Sequence, residues 1–270
     1  MVLVKRAGIA FGGPTKMNIG SSLVTAAFVF CLNCAALALS EAELEKIGKR
    51  VWQNECGGTR DGLTSWNAGE DFASLGIGHF IWYPAGGDGP FEESFPKLAK
   101  FLSARGAKTS AWMNGDCPWK TRAEFQADFR GERLNELRDL LAGTVKLQSE
   151  FLAERMRSAL PKMLASADGS SRERVKANFQ RLLANGAGTF ALIDYVNFKG
   201  EGTNPKERYD GQGWGLLQVL ETMDSDGPAA AAFGRAAAQV LERRVKNSPP
   251  ARNEAKWLPG WKNRVKAYGE

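Results

Sequence analysis

The stretch Asn54–Pro84, NECGGTRDGLTSWNAGEDFASLGIGHFIWYP, differs in composition from the sequence around it. The residues before it repeat apolar side chains at helical spacing, whereas the stretch itself is rich in glycine and poor in charge. Residues 57–89 are therefore expected to form loops and short strands, inserted into an otherwise helical protein.

A helix is predicted immediately before this insertion. Ser40 and Glu43 have the spacing of a capping box, so the helix should begin at Glu41. The pair Gly57-Gly58 is expected to end it. The apolar residues Leu44, Ile47 and Val51 would share its buried face.

Helical periodicity returns after the insertion and continues to the end of the chain. Helices are predicted at residues 92–104, 121–142, 145–165, 171–183, 190–198, 216–223, 228–246 and 261–268. Asn185-Gly186 is expected to stop one of them. No repeat or linker divides residues 39–270, so the fold class is mainly α (α+β), in a single domain.

Residues 1–38 have the features of a signal peptide. The basic residues Lys5, Arg6 and Lys16 precede an apolar run, residues 23–38, which ends in an A-x-A pattern. Met17 is an alternative start. We expect cleavage after Ala38 and a periplasmic or secreted protein without stable membrane insertion; the alternative is an uncleaved anchor, for which the run is short.

Charge and composition exclude several function classes. The net charge is +6, of which the leader supplies three, so the remainder has only a mild positive excess, which would suit an anionic polymer. His79 is the single histidine, which argues against histidine-rich zinc sites. No G-x-S-x-G elbow, P-loop, dinucleotide fingerprint or nucleic-acid module is present. We expect no metal, no cofactor and no nucleic-acid partner.

Glu55 is the candidate catalytic acid. It follows Val51 by four residues and Ile47 by eight, which places it on the apolar face of the first helix at its last turn. Partial burial and the negative helix end both favour the neutral acid. A protonated carboxyl can donate to a leaving glycosidic oxygen. The alternative is a solvated glutamate or one paired with Arg60.

The same stretch resembles the catalytic entry of phage-type lysozymes. In that family a glutamate closes the first helix, and a T-I-G-x-G-H-like strand follows in a short β-hairpin. Glu55 matches the glutamate, and Ser74–His79 (SLGIGH) matches the strand with serine for threonine. The resemblance implies a lysozyme-like fold, a small antiparallel sheet from Leu63 to Tyr83, and a substrate cleft beside the hairpin.

The resemblance also implies an activity, glycosidic cleavage of peptidoglycan, for which we expect a monomer. The family's second acid has no single match: Glu70 is the first choice, with Asp71 and Asp61 as alternatives. Ser74 would position water if only one acid acts, as in goose-type lysozymes and lytic transglycosylases. The competing interpretations are a chitin or chitosan glycosidase and a non-catalytic wall-binding protein.

Several residues are candidates for sugar contacts. Trp66, Trp82 and Tyr83 lie in the glycine-rich insertion, where little core is available. The long polar loop from residue 197 to residue 214 could supply Asn197, Glu201 or Tyr209. Gln218 lies in GLLQV, which resembles the G-L-M-Q-[IV] element of the single-acid branch, although a buried helix start is the preferred interpretation.

Two further roles are predicted for side chains of this region. Cys56 and Cys117 are expected to form a disulfide in an oxidising compartment, the alternative being two free buried thiols. His79 is expected to be structural, holding the hairpin through a hydrogen bond.

Overall fold

The first helix, α1, spans Glu41–Cys56, as the capping box predicts. The Ser40 hydroxyl accepts from the backbone of Glu43, and the Glu43 carboxylate accepts from the backbone of Ser40. Gly57 ends the helix in the left-handed region at φ 61°. The structure, a computed structural model, describes residues 39–89 and 91–270, and these belong to one compact unit. The predicted signal peptide, residues 1–38, lies outside the described residues.

A three-stranded antiparallel sheet follows, as predicted for residues 63–83. Its strands are β1 (Thr64–Ser65), β2 (Ala73–Leu75) and β3 (Phe80–Trp82), in the order β1-β2-β3. Ser74 lies opposite Ser65 on one side and Ile81 on the other.

The predicted strand Ser74–His79 is wrong beyond Leu75. Residues 76–79 form the turn that joins β2 to β3, closed by a hydrogen bond from the His79 N–H to the Gly76 carbonyl at 3.2 Å. Gly76 (φ 71°) and His79 (φ 49°) both have left-handed backbone conformations, which an extended strand excludes.

Three hydrogen bonds hold this turn against the body of the protein. The Gly76 N–H donates to the Leu63 carbonyl at 2.8 Å. The Ile77 N–H donates to the buried side chain of Gln148 at 2.9 Å, and the Cys56 thiol donates to the Gly76 carbonyl at 3.4 Å. The tip of the hairpin is thereby fixed beside the last turn of α1.

Substituting alanine for Gly76 is expected to destabilise the protein by about 1–3 kcal/mol. The added Cβ atom would lie 2.5 Å from Gln148 Oε1 and 3.0 Å from the Phe80 ring, in addition to the left-handed φ. Gly69 is the matched control, because its φ is 84° but a Cβ atom at that position would have no neighbouring atom within 4 Å. Urea unfolding of both variants measures the difference; equal losses would mean that the contact with Gln148 contributes nothing.

The remaining elements are mostly helices. They are α2 (Phe95–Ala104), α3 (Arg122–Ala127), α4 (Glu132–Gly143), α5 (Val145–Ser166), α6 (Gly169–Leu183), α7 (Gly186–Lys199), the short strands β4 (Arg208–Tyr209) and β5 (Gln212–Gly213), α8 (Leu216–Thr222), α9 (Ala229–Asn247) and α10 (Leu258–Lys266). The protein is therefore mainly helical with small antiparallel sheets. None of the helices within the described ranges is both long and apolar enough to cross a bilayer.

Several predicted helix boundaries need correction. Helix α2 begins at Phe95 rather than residue 92, α7 at Gly186 rather than residue 190, and α10 at Leu258 rather than residue 261. Two further differences have a local cause. The stretch 121–142 is interrupted by a turn in which the Gly131 N–H donates to the Asp128 carbonyl at 2.7 Å, so it forms α3 and α4. Asn185 does not simply stop α6: its side chain accepts from the Gly188 N–H at 2.8 Å and caps the start of α7.

Helix α7 is central to the core. Its residues from Gly188 to Val196 are all buried, and α1, α5, α6, α8 and α9 pack around it. Helix α10 packs on α9. The ends of α1, α7 and α10 and the hairpin tip converge on Glu55.

Candidate active site

Glu55 lies in the last turn of α1 with its side chain 14% exposed. Its carboxylate contacts Asn197 from α7, Arg264 from α10 and His79 from the hairpin tip. The acid is therefore reachable from solvent, but its setting is polar rather than the apolar one predicted from the helix pattern.

An ion-pair network with the buried Asp194 holds the carboxylate of Glu55 in place. Arg264 Nη2 donates to Glu55 Oε1 at 2.5 Å and to Asp194 Oδ1 at 2.8 Å, while Arg264 Nε donates to Asp194 Oδ2 at 2.8 Å. Asp194 is fully buried and also accepts from Tyr268 and from Asn54. Burial alone would lower the pKa of Arg264, but the carboxylates of Asp194 and Glu55 raise it, so the guanidinium stays charged.

The two carboxylate oxygens of Glu55 have different environments. Oε1 accepts from Arg264 and from the amide of Asn197, at 3.2 Å for the latter. Oε2 lies 3.7 Å from His79 Nδ1, which is too long for a hydrogen bond. Oε1 therefore accepts two hydrogen bonds, whereas Oε2 accepts none from the described residues.

The structure does not bring the predicted second acids into contact with Glu55. Glu70 and Asp71 line a separate depression of about 370 Å³, which Glu55 does not border. Glu70 accepts from Asn67 at 3.0 Å, and Asp61 pairs with Arg130 at 3.0 Å. The carboxylate linked to Glu55 is that of Asp194, because both contact the guanidinium of Arg264.

Other predicted neighbours of Glu55 have different roles. Ser74 is buried in the middle of β2, where its carbonyl accepts from the Ser65 hydroxyl at 3.4 Å. Arg60 pairs with Asp139 on the surface, so the alternative Glu55–Arg60 pair does not form. The predicted hydrogen bond from the His79 side chain to the hairpin is not found among the described residues. The imidazole faces Glu55 instead.

The candidate sugar contacts divide into three groups. Asn197 donates to Glu55, and its contact with sugar stays a prediction. Trp82 is 1% exposed and packs on Phe95, so its prediction as a sugar contact is wrong. Trp66 and Tyr83 border the depression that also holds Glu70, but they are only 4% and 5% exposed and pack on Phe125 and Phe72, so neither presents a ring face for stacking as predicted.

The loop between α7 and α8 is more ordered than a plain surface loop. Gln218 is buried and bonds within this loop, accepting from the Gly215 N–H and donating to the Gly202 carbonyl, both at 3.0 Å. The preferred interpretation of Gln218 as a buried helix start is therefore confirmed. Tyr209 donates to Glu254, and Glu201 pairs with Lys162.

The predicted disulfide is absent. Cys56 and Cys117 are free, buried thiols. The thiol of Cys56 faces the hairpin turn, whereas that of Cys117 contacts the carbonyl of Trp119 at 3.5 Å. Burial raises the pKa of Cys56 to about 12, with a smaller contribution from the charge of Glu55, so this thiol is unreactive despite its place beside the acid.

Sequence reasoning missed Asp194, Lys199 and Arg264. Asp194 had a signal, since it is the single charged residue in the apolar segment 190–198, and a buried carboxylate requires a cationic partner. Nothing in the sequence pairs it with Arg264, seventy residues later.

Lys199 lies beside this network, between aromatic rings. Its Nζ is 3.9 Å from the centre of the Phe198 ring and 3.6 Å from that of Trp261. Burial, together with the charges of Arg244 and Arg264, lowers the pKa of Lys199 to about 6, although the carboxylates of Glu254 and Glu55 oppose the shift.

Replacing Lys199 with methionine should flatten the pH dependence of stability. Between about pH 6 in the folded protein and ~10.4 in the unfolded chain, the unfolded state binds one more proton at this side chain. The free energy of unfolding therefore rises with pH across that window. Urea unfolding at pH 6 and pH 9 should show a smaller increase for Lys199→Met than for the wild type, while the exposed control Lys49→Met keeps the full increase. Equal slopes in all three proteins would contradict a neutral Lys199.

Comparisons with known proteins yield no relative. No protein-family model matches the chain, and neither the curated proteins nor the solved structures contain a significant match. Within residues 39–89 and 91–270, no cluster of three or more histidine, cysteine or acidic side chains is arranged to hold a metal ion.

Proposed function

We propose that this protein is a glycosidase that cleaves the glycan strands of peptidoglycan, with Glu55 as the general acid. The observation that carries the proposal is the asymmetry of the Glu55 carboxylate. Arg264 and Asn197 hold Oε1, whereas Oε2 has no hydrogen-bond donor among the described residues and the side chain is partly exposed. The proton on Oε2 would pass to the leaving glycosidic oxygen as an oxocarbenium-like state develops.

The lysozyme-like architecture is part of this proposal. An acid at the end of the first helix faces the tip of a small antiparallel sheet, and helices α2 to α10 supply the rest of the fold. This is the arrangement that the resemblance in residues 54–84 implies. The support comes from the order of the elements and the position of Glu55.

A single-acid mechanism fits the contacts better than a two-acid one. Asp194 is fully buried and holds Arg264, Tyr268 and Asn54, so it is not free to act as a nucleophile or a base. Glu70 and Asp71 line a depression that Glu55 does not border. The acceptor would then be water or a hydroxyl of the sugar itself, and the reaction would be hydrolysis or lytic transglycosylation respectively.

The charge of the segment that carries Arg264 favours peptidoglycan over chitosan. Lys256 and Lys266 are exposed in this segment. Chitosan is a polyamine and would be repelled by these lysines, whereas the carboxylates of peptidoglycan would be attracted. Chitin is neutral, so charge does not separate it from peptidoglycan as a substrate, and the experiment below does.

Product analysis tests the proposal. Purified protein is incubated with peptidoglycan and, separately, with chitin, and the soluble products are analysed by mass spectrometry. Soluble muropeptides are expected, with anhydro ends from transglycosylation or reducing ends from hydrolysis. Release from chitin alone would assign a different substrate, and no release from either would favour the non-catalytic wall-binding alternative.

The proposed site of action is the periplasm or the exterior, reached after cleavage behind Ala38. The features that support export are the basic residues, the apolar run and the A-x-A pattern of residues 1–38. N-terminal sequencing of the exported protein should begin at Leu39; a sequence that begins at Met1 or Met17 would indicate a retained anchor.

A further inference from the structure

A stacked pair of tryptophans, one exposed and one half-buried, lies at the N-terminal end of α10, the helix that carries Arg264. Trp257 is 46% exposed, and Phe91, at 50%, is the other large apolar side chain of comparable exposure among the described residues. The ring of Trp257 stacks on that of Trp261, with centroids 6.1 Å apart and planes 27° from parallel. Trp261 is half-buried, so it fixes the position of the exposed ring.

This pair is continuous with the Glu55 site. Trp257 is the N-cap residue of α10, and Trp261 and Arg264 follow it by four and seven residues, so the three share one face of the helix. The rise from Trp257 to Arg264 is about 10 Å along the helix axis. Arg264 contacts the Phe198 ring at 4.2 Å, and Lys199 bridges Phe198 and Trp261. An unbroken series of contacts therefore joins the acid to the exposed ring.

The surroundings of the pair are cationic. Residues 251–268 contain one acid, Glu254, which is buried and paired with Arg244. The basic residues of the same segment are Arg252, Lys256, Lys262, Arg264 and Lys266. Lys262 pairs with Glu242 of α9, and Arg264 pairs with Glu55 and Asp194. The positive charge of the segment therefore comes from Arg252, Lys256 and Lys266. Lys256 Nζ lies 4.5 Å from the ring centre of Trp257. The surface thus combines a rigid aromatic face with positive charge.

We propose that Trp257 and Trp261 form a stacking subsite for a pyranose ring of an anionic amino-sugar polymer, outside the position where Glu55 acts. The aromatic face would cover the apolar C–H face of the sugar, and the lysines would attract carboxylates elsewhere on the same strand. The inference rests on the proposed function, because that function supplies the polymer. The subsite would hold one end of a strand while a bond a few sugars away reaches Glu55.

Binding to insoluble peptidoglycan tests the subsite separately from catalysis. The full chain with Glu55→Gln is cosedimented with peptidoglycan, alone and combined with Trp257→Ala, Trp257→Phe or Phe91→Ala. Trp257→Ala is expected to raise the Kd about tenfold, the scale of one aromatic stacking contact. Trp257→Phe keeps an aromatic face and should retain most of the affinity, and Phe91→Ala, the equally exposed control, should leave the Kd unchanged.

Several outcomes would overturn the inference. They are an unchanged Kd for Trp257→Ala, equal losses for Trp257→Ala and Phe91→Ala, and no binding to peptidoglycan by the parent protein. The same proteins are mixed with vesicles of anionic phospholipid; if Trp257→Ala reduces vesicle binding and leaves glycan binding intact, the pair contacts a membrane instead. Lysis that persists with Glu55→Gln would defeat the proposed function without altering these binding results.

Discussion

Glu55→Gln is expected to reduce wall lysis by at least about 100-fold while the protein stays folded, because general acid catalysis contributes a factor of this size. Glutamine has nearly the same shape as glutamic acid and can still accept at its carbonyl oxygen from Arg264 and Asn197, which hold Oε1 in the wild type. It has no acidic proton to give to the leaving oxygen. Zymography on embedded cell wall measures the loss, and circular dichroism and urea unfolding verify the fold.

The matched controls are Glu70→Gln and Asp71→Asn. Both residues are acids of the same sheet region, but they line the separate depression and do not contact Glu55. In a single-acid mechanism both variants should retain activity close to that of the wild type. A loss of lytic activity with Glu70→Gln as large as that with Glu55→Gln would restore the two-acid mechanism. A folded Glu55→Gln protein with normal lytic activity would show that Glu55 is not the general acid.

Replacing Arg264 with methionine is expected to destabilise the protein by about 3–5 kcal/mol, the cost of leaving a buried charge without its partner. Asp194 would be that charge, since it has no access to solvent and Arg264 supplies two of its hydrogen bonds. Tyr268 and Asn54 would still donate to it, but neither carries a compensating charge. Urea unfolding at pH 7 measures the change.

Arg60→Met is the matched control for this prediction. Arg60 also binds a carboxylate, that of Asp139, but both side chains are exposed, so the expected change is within about 1 kcal/mol. The double variant Arg264→Met/Asp194→Asn should recover part of the loss, because the unpaired charge is then removed. If Arg264→Met is no more costly than Arg60→Met, Asp194 does not depend on the guanidinium.

The local elements of this fold follow directly from local sequence. Ser40 and Glu43 define the start of α1, and Gly57 defines its end, because capping and left-handed turns depend on residues within one helical turn. The small sheet was predictable in position for the same reason. The ends of its strands were not predictable. The sequence SLGIGH has the pattern of a strand, but the chain turns at Gly76–His79, because Leu63 and Gln148 supply hydrogen-bond partners for the turn.

The site shows the same division between local and long-range information. Helical spacing alone placed Glu55 at the end of α1, and Asn197 was identified as a candidate because it begins a long polar loop. The sequence could not show that Trp82 is buried against Phe95 or that Cys56 and Cys117 face different carbonyls. These properties depend on which elements pack together.

The helical fold class, the first helix with its acid, and the glycine-rich sheet that follows can all be predicted from sequence, because each depends on the properties of neighbouring residues. The surroundings of the acid depend instead on contacts between distant parts of the chain. Arg264 reaches Glu55 across 209 positions of the chain and Asp194 across 70. Such pairs form because a buried carboxylate must meet a cation, and the packing of α7, α1 and α10 selects which cation it meets.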